Sequence, residues 1–317
     1  MAIHFMEPLS RAWSRMKAAL FSPFDIHKWF VVGFNAFLAG LLDAANGSGG
    51  ARGGKNVTFG EFVHFPRTAW DWLMSHPAWT IAVLFAIAVA IAVIVALTWA
   101  SSRGVFMFLA SVVHDRVEIA KPWREYQKEG NSLFVWRLLF GIISLTAFAA
   151  LLAWFFVRGA AIYDAGFDRA VPIFFIAGLA TLALFLLLVW GFIILFLKDF
   201  VAALMYKNRI SAGAAWRLFL GLFKQYPAHF LGYGVIIFLL MLVFVFAVIV
   251  VGLITCCIGW LLLVIPYIGT VVTLPVWYTF RAFSLEFLAQ FGPEYNVFPL
   301  PAAPVAPAPA APAAPVV

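Results

Sequence analysis

The chain has 317 residues, of which 65% are hydrophobic and 11% charged, and its formal net charge is +7. Soluble domains hold about half apolar and a quarter charged residues, so a water-soluble fold is excluded: there are too few charges to cover the apolar surface. The basic balance matches the Lys and Arg excess of cytoplasmic membrane loops, and no basic patch interleaved with exposed aromatics points to nucleic acid.

From the N-terminus, residues 1–21 lack the continuous apolar core of a cleavable signal peptide. They predict an amphipathic helix: Leu9, Trp13, Met16 and Leu20 recur on one face, with Arg11, Arg15 and Lys17 off it. Ser22 and Pro23 mark an elbow. Residues 29–42 are apolar but short. At 1.5 Å per residue they cover about 21 Å, against roughly 30 Å of hydrocarbon, so they read as a short span or as an interfacial or re-entrant helix. Residues 46–58 are Gly-rich and predict an external loop; residues 59–75, aromatic and polar, predict an external interfacial helix.

Residues 78–101, 138–157 and 171–197 carry no charge, and each meets the length of a crossing. Residues 225–280 contain no Asp, Glu, Lys or Arg, a stretch suited to a hairpin of two spans, 230–255 and 260–280, turning near residues 255–259. Cys256 and Cys257 fall in that turn; they read as two small apolar residues or a vicinal disulfide, without metal-ligand spacing. From Pro299 onward the chain is almost wholly Pro, Ala and Val and predicts an extended cytoplasmic tail, either a tether or a lure for a proline-binding partner.

Charge settles the short segment. If residues 29–42 cross, sixteen Lys and Arg lie on the side that holds both termini and five lie opposite; if they do not, the split is twelve to nine. Positive residues collect in the cytoplasm, so the sharper split selects six spans with both termini cytoplasmic. The fold class is all-α: a polytopic helical membrane domain, residues 1–298, followed by the tail, residues 299–317.

The spacing of Arg116, Trp123, Arg124 and Gly141 recurs 93 residues later as Arg209, Trp216, Arg217 and Gly234. A weaker copy around Trp13 and Arg15 leads to Gly33. The chain thus reads as three similar units, about 5–101, 116–197 and 209–290, each an interfacial helix, an elbow and two spans. The elbows are marked by Ser22 and Pro23, by Gly130 and Asn131, and by Tyr226 and Pro227. Trp13, Arg15, Trp123, Arg124, Trp216 and Arg217 are the candidate lipid-headgroup contacts, with Trp at headgroup depth and Arg reaching for phosphate.

Catalytic patterns are missing from the sequence: there is no GxSxG, no P-loop and no GxGxxG between strand and helix. No metal or cofactor is expected. Glu61 and His64 share a helical face but lack the converging ligands and HExxH-type spacing of a metal site, and Asp164 and Asp168, at i, i+4, read as a solvated external loop. Lys198 and Asp199 read as a solvated boundary where the fourth span leaves the membrane, which leaves no ionisable residue at mid-membrane. The last span is the most suggestive. Pro266 and Pro275 interrupt it around Gly269, with Thr270 and Thr273 as polar lining, which reads as a broken-helix binding site or as plain kinks.

The opening Ser22-Pro23-Phe24-Asp25, the interfacial Trp-Arg helices and the closing residues 281–295, RAFSLEFLAQFGPEY, resemble a group of uncharacterised bacterial six-helix membrane proteins. These are similar to the membrane domain that accompanies some glycerophosphodiester phosphodiesterases. The resemblance covers most of residues 5–298. The phosphodiesterase barrel and its His-Arg-Gly motif are absent, so hydrolysis does not carry over; the resemblance implies membrane residence and association with lipid or another protein. The expected function is that of a non-enzymatic inner-membrane scaffold or accessory subunit. It binds membrane lipids and a membrane-protein partner or a second copy of itself. The alternative is a transporter or lipid-handling conduit built on the broken last helix.

Overall fold

The computed structural model describes residues 3–42, 59–166, 170–255 and 258–299, which are helical throughout and contain no strand. The calls on Cys256 and Cys257, on Asp168, on residues 46–58 and on the tail from residue 300 lie outside the described residues.

Helix α1, Met6–Phe21, buries Pro8, Ala12, Met16 and Leu20, one residue per turn. This face is rotated from the expected one, and Trp13 stays 50% exposed. The reason is electrostatic as well as steric. Arg15 and Arg11 both reach Glu286, Arg11 at 3.8 Å, and so turn α1 toward the helix that carries this carboxylate.

Helix α2, Ile26–Ala39, starts at Asp25, whose carboxylate accepts the His27 N–H at 2.8 Å. It is wedged into the bundle. A Cβ at Gly33 would lie 2.6 Å from Val271 Cγ2, and one at Gly104 would lie 2.6 Å from the Leu38 carbonyl carbon. Only glycine permits approaches this close.

Helix α3, Phe59–Ser75, leads into α4, Pro77–His114; a short α5, Ala120–Glu125, precedes α6, Gln127–Asp164. Helix α7, Ala170–Phe196, continues through a π turn, Leu197–Val201, into α8, Ala202–Asn208. Then come α9, Ala212–Gln225, and α10, Pro227–Ile254. Four helices are long and apolar enough to cross a membrane: Pro77–His114, Gln127–Asp164, Ile173–Asn208 and Pro227–Ile254. Their most apolar stretches point outward almost entirely, with Ile81, Phe85, Leu145, Phe174, Phe238 and Phe246 all more than half exposed. Lipid is the solvent that suits such faces.

The first two of these helices have 38 residues each, about 57 Å at 1.5 Å per residue, well beyond the hydrocarbon thickness. In α4 the surplus is visible. The helix is exposed as far as Ile94, and from Ser101 to Val113 it is buried apart from Arg103. The buried core gathers at this end, where α1, α8 and α9 pack around an aromatic cluster. Phe200 stacks on Phe219 at 5.5 Å and meets Phe230 edge-on at 5.0 Å and Tyr233 at 4.8 Å.

One sequence expectation needs correction here. Gly130 and Asn131 form no elbow; they lie inside α6, and the bend falls at Tyr126. Gly130 instead lets Arg103 approach, since a Cβ there would sit 2.9 Å from Arg103 Cγ. The last apolar segment is interrupted at both prolines, as expected, into three helices: α11, Ile258–Val264; α12, Pro266–Val272; and α13, Leu274–Ala289. Pro266 and Pro275 occupy their first turns, where a missing N–H costs nothing. The elbow at Tyr226 and Pro227 is present, with α9 ending and α10 beginning there.

The loop after α4 and the loop after α8 meet at one carboxylate. Arg116 Nη1 donates to Glu125 Oε2 at 2.9 Å, and Arg209 Nη2 donates to Oε1 at 2.6 Å. The Arg209 guanidinium also lies 3.9 Å from the Tyr126 ring centroid. Burial by itself would raise the Glu125 carboxyl, but the hydrogen bonds and charges of Arg116 and Arg209 outweigh it and hold it below the ordinary carboxylate value.

Two outcomes follow from these pairings. Glu286→Ala should cost about 1–3 kcal/mol, less than a fully buried pair because both arginines are half exposed; a lowered melting temperature together with faster proteolysis of α1 checks this. The Glu125 contribution is fully present above the unfolded-state value of 4.5 and is lost as pH falls through the lower folded value. Melting temperatures on the acid side should therefore drop more steeply for the wild type than for Glu125→Gln.

Candidate functional site

The π turn sets the site. Ala202 N–H reaches back to the Leu197 carbonyl, one residue further than in an α-helix. The widened turn leaves the Lys198 carbonyl for a side chain from α13: Arg281 Nη1 donates to it at 2.6 Å. The same guanidinium nitrogen lies 3.7 Å from Asp199 Oδ1, and Tyr233 of α10 donates its hydroxyl to Asp199 Oδ2 at 2.9 Å. Arg281 is 3% exposed and Asp199 8%. The expected solvated boundary at Lys198 and Asp199 is therefore corrected. The carboxylate turns inward because Arg281, which stays protonated at any accessible pH, must have a counter-charge where water is excluded.

Beside this cluster lies a cavity of about 560 Å³, within the size range of small-molecule and lipid sites. Helix α2 contributes Ala36, Phe37 and Ala39, α7 contributes Gly191, Ile194 and Leu195, and α10 contributes Ile237 and Met241. Thr270 of α12 and Trp277 and Phe280 of α13 close it, and Lys198, Asp199 and Arg281 form its charged floor. Lys198 Nζ stands 5.7 Å from the Trp277 ring centroid. That indole is held in place by its N–H, which donates to Thr273 Oγ1 at 2.9 Å. The walls from α7 and α10 belong to helices with outward apolar faces, while Ala36 and Ala39 of α2 and Asp199 and Arg281 of the floor are buried, so the cavity sits where the two zones meet.

The broken-helix candidates divide by role. Thr270 lines the cavity. Thr273 donates to its own helix, to the Gly269 carbonyl at 2.8 Å, and braces Trp277 from behind. Gly269 serves a close approach, since a Cβ there would lie 2.6 Å from the Leu263 carbonyl oxygen. Pro275 stands in the first turn of α13, and α12 begins at Pro266.

The headgroup candidates divide as well. Arg124 and Arg217 are exposed. Arg15 is engaged by Glu286 and lies 3.8 Å from the Phe298 ring centroid. Trp123 packs edge-on against Trp99 at 5.5 Å with Arg103 against both rings. Trp216 stacks on Trp136 at 5.3 Å, with its indole nitrogen buried. His64 Nε2 lies 3.3 Å from Asp164 Oδ1, joining α3 to the end of α6. Among the described residues no three His, Cys, Asp or Glu side chains converge as a metal site would require.

Sequence reasoning missed Arg281, Asp199, Tyr233 and Glu286. The available signal was the presence of Arg281 and Glu286 five residues apart in an otherwise apolar helix, which is costly unless each is paired.

The chain belongs to the family of unknown function DUF7544, which matches residues 3–292. No curated protein matches it, and neither does any solved structure.

Asp199→Asn should destabilise the fold by about 3–5 kcal/mol by leaving the Arg281 charge buried without its carboxylate. Adding Arg281→Met should restore much of that loss, because the uncompensated charge is gone. Unfolding of the single and double variants in detergent measures the coupling, and equal losses in both would remove the pair from its central place.

Proposed function

We propose that this DUF7544 member is a non-catalytic lipid-binding protein of the bacterial inner membrane, acting as a scaffold or accessory subunit for a membrane-protein partner or a second copy of itself. The observation that carries the reading is the cavity with its charged floor, set at the join between outward apolar helices and the buried core. That join is the depth at which headgroups lie, and an apolar chamber floored by Lys198, Arg281 and the Asp199 carboxylate that pairs with it matches an amphiphile better than a water-soluble substrate. The resemblance of the sequence to the membrane domain that accompanies some glycerophosphodiester phosphodiesterases agrees with membrane residence. No catalytic step is assigned.

In the proposed topology the four long helices are joined by two further crossings. These are α2, short and wedged between α4 and α12, and the α11–α13 segment, with both termini cytoplasmic. Two observations support the threefold relation. Arg116 and Arg209, which hold equivalent places in the repeated spacing, converge on Glu125, and the one-residue breaks at Tyr126 and Tyr226 each lead into a long helix.

A second reading, a lipid-handling conduit, is favoured by Thr270 and Trp277, which bring the segmented last crossing into the cavity wall.

Native mass spectrometry on protein extracted with its surrounding lipid tests the function. A stoichiometric protein partner supports the accessory role, and a lone chain retaining selected lipid favours the conduit. A chain with neither lipid nor partner would falsify both. Topology has its own check. In a Cys256→Ser, Cys257→Ser background, Ser14→Cys and Thr68→Cys should label from opposite faces of sealed vesicles. Labelling from the same face would remove the crossing by α2.

A further inference from the structure

Helices α10 and α13 wall a second cavity, of about 460 Å³, roofed by α1. Leu240 and Val276 line it from the two helices, and Leu9 and Trp13 line it from α1. Its lining carries no charge, and the Thr279 hydroxyl there is already spent on the Pro275 carbonyl, at 2.7 Å. This is where the unexpected rotation of α1 leads. Of the face that sequence periodicity marked, Met16 and Leu20 enter the core while Leu9 and Trp13 cover an apolar chamber.

The two cavities share a single lining residue, Phe280. On α13, Trp277 and Arg281 face the first chamber and Val276 and Thr279 the second; on α10, Ile237 and Met241 face the first and Leu240 the second. The chambers therefore back onto one another across the α10–α13 seam, with one aromatic ring between a charged compartment and an apolar one.

Resting on the lipid-binding reading, we infer that the occupant is a lipid with an anionic headgroup, seated at Lys198 and Arg281, with an acyl chain led past Phe280 into the chamber beneath α1. The division of chemistry carries the assignment. Asp199 is held by Tyr233 on one oxygen and faces Arg281 on the other, so it anchors the cationic floor. Lys198 stands over the same floor against Trp277 and supplies the charge that a phosphate or other anion meets. The approach favours the same sign: α1 exposes Arg11, Arg15 and Lys17, and anionic lipids gather at basic interfacial helices. The second chamber has no charged group to meet a headgroup, its polar lining being limited to Ser10, Thr279 and the Trp13 indole, and it suits an alkyl chain.

The test uses the full chain in phosphatidylethanolamine nanodiscs, with a photoreactive diazirine at the chain end of either a phosphatidylglycerol or a phosphatidylethanolamine probe. Crosslinked peptides are then mapped. The α1 peptide should label more strongly with the phosphatidylglycerol probe. That preference should be lost in Lys198→Gln, while α1 labelling should fall in Phe280→Trp, which plugs the seam, and rise in Phe280→Ala, which opens it. Reading each variant as a ratio of two probes guards against partial loss of folded protein. Equal labelling by both probes overturns the anionic headgroup, and α1 labelling that ignores both Phe280 variants overturns the chain path. Lipid retained in native mass spectrometry but crosslinked elsewhere overturns this placement alone, whereas no retained lipid at all overturns the lipid-binding reading beneath it.

Discussion

A guanidinium that is 3% exposed cannot give up its proton and cannot be left without partners, and Arg281 meets both conditions through the π turn. The wider turn frees the Lys198 carbonyl and places Asp199 next to it, so one arginine satisfies a backbone acceptor and a carboxylate at once. Tyr233 then ties the carboxylate to α10. Helices α7, α10 and α13, which would otherwise meet only through apolar contacts, are brought into a defined arrangement. Between nearly featureless apolar helices, dispersion alone specifies rotation weakly, whereas a charge that must be paired specifies it strongly.

That arrangement divides the molecule into two zones. Toward one end the long helices present Phe, Leu, Ile and Val to their surroundings. Toward the other, their surplus length is wrapped by α1, α5 and α9 and closed by a dense aromatic core around Phe200. The cavity forms at the border because α2 is too short to fill the space beside α7 along its length, and because the last apolar segment is divided at Ile265 and Thr273 rather than running straight. Glycines allow the close contacts that remain, at Gly33 against Val271 and at Gly104 against Leu38.

The pairings outside the cavity show the same economy. Glu125 collects Arg116 and Arg209 from loops 93 residues apart, and Glu286 collects Arg11 and Arg15 from the far end of the chain. In a protein with 14 acidic residues, two carboxylates hold four arginines. Each pairing ties segments distant in sequence: Glu125 of α5 to the loops after α4 and α8, and the buried Glu286 of α13 to α1.

Hydropathy was enough to read the helical class and the four long apolar helices, because each reports a local transfer energy summed over about 20 residues. The elbow at Tyr226 and Pro227 was legible for a similar reason, proline being favoured in the first turn of a helix. The breaks at Pro266 and Pro275 were legible for the same reason, whereas the face of α1, the bend at Tyr126 and the inward turn of Asp199 were not. Each depends on a partner well separated along the chain: Glu286 for α1, Arg103 for Gly130, Arg281 for Asp199. Sequence alone determined which segments leave water, since that is a property of the segments themselves. Tertiary structure decided how they are rotated and where the few charges point, because a buried charge is placed by its counter-charge and not by its neighbours in sequence.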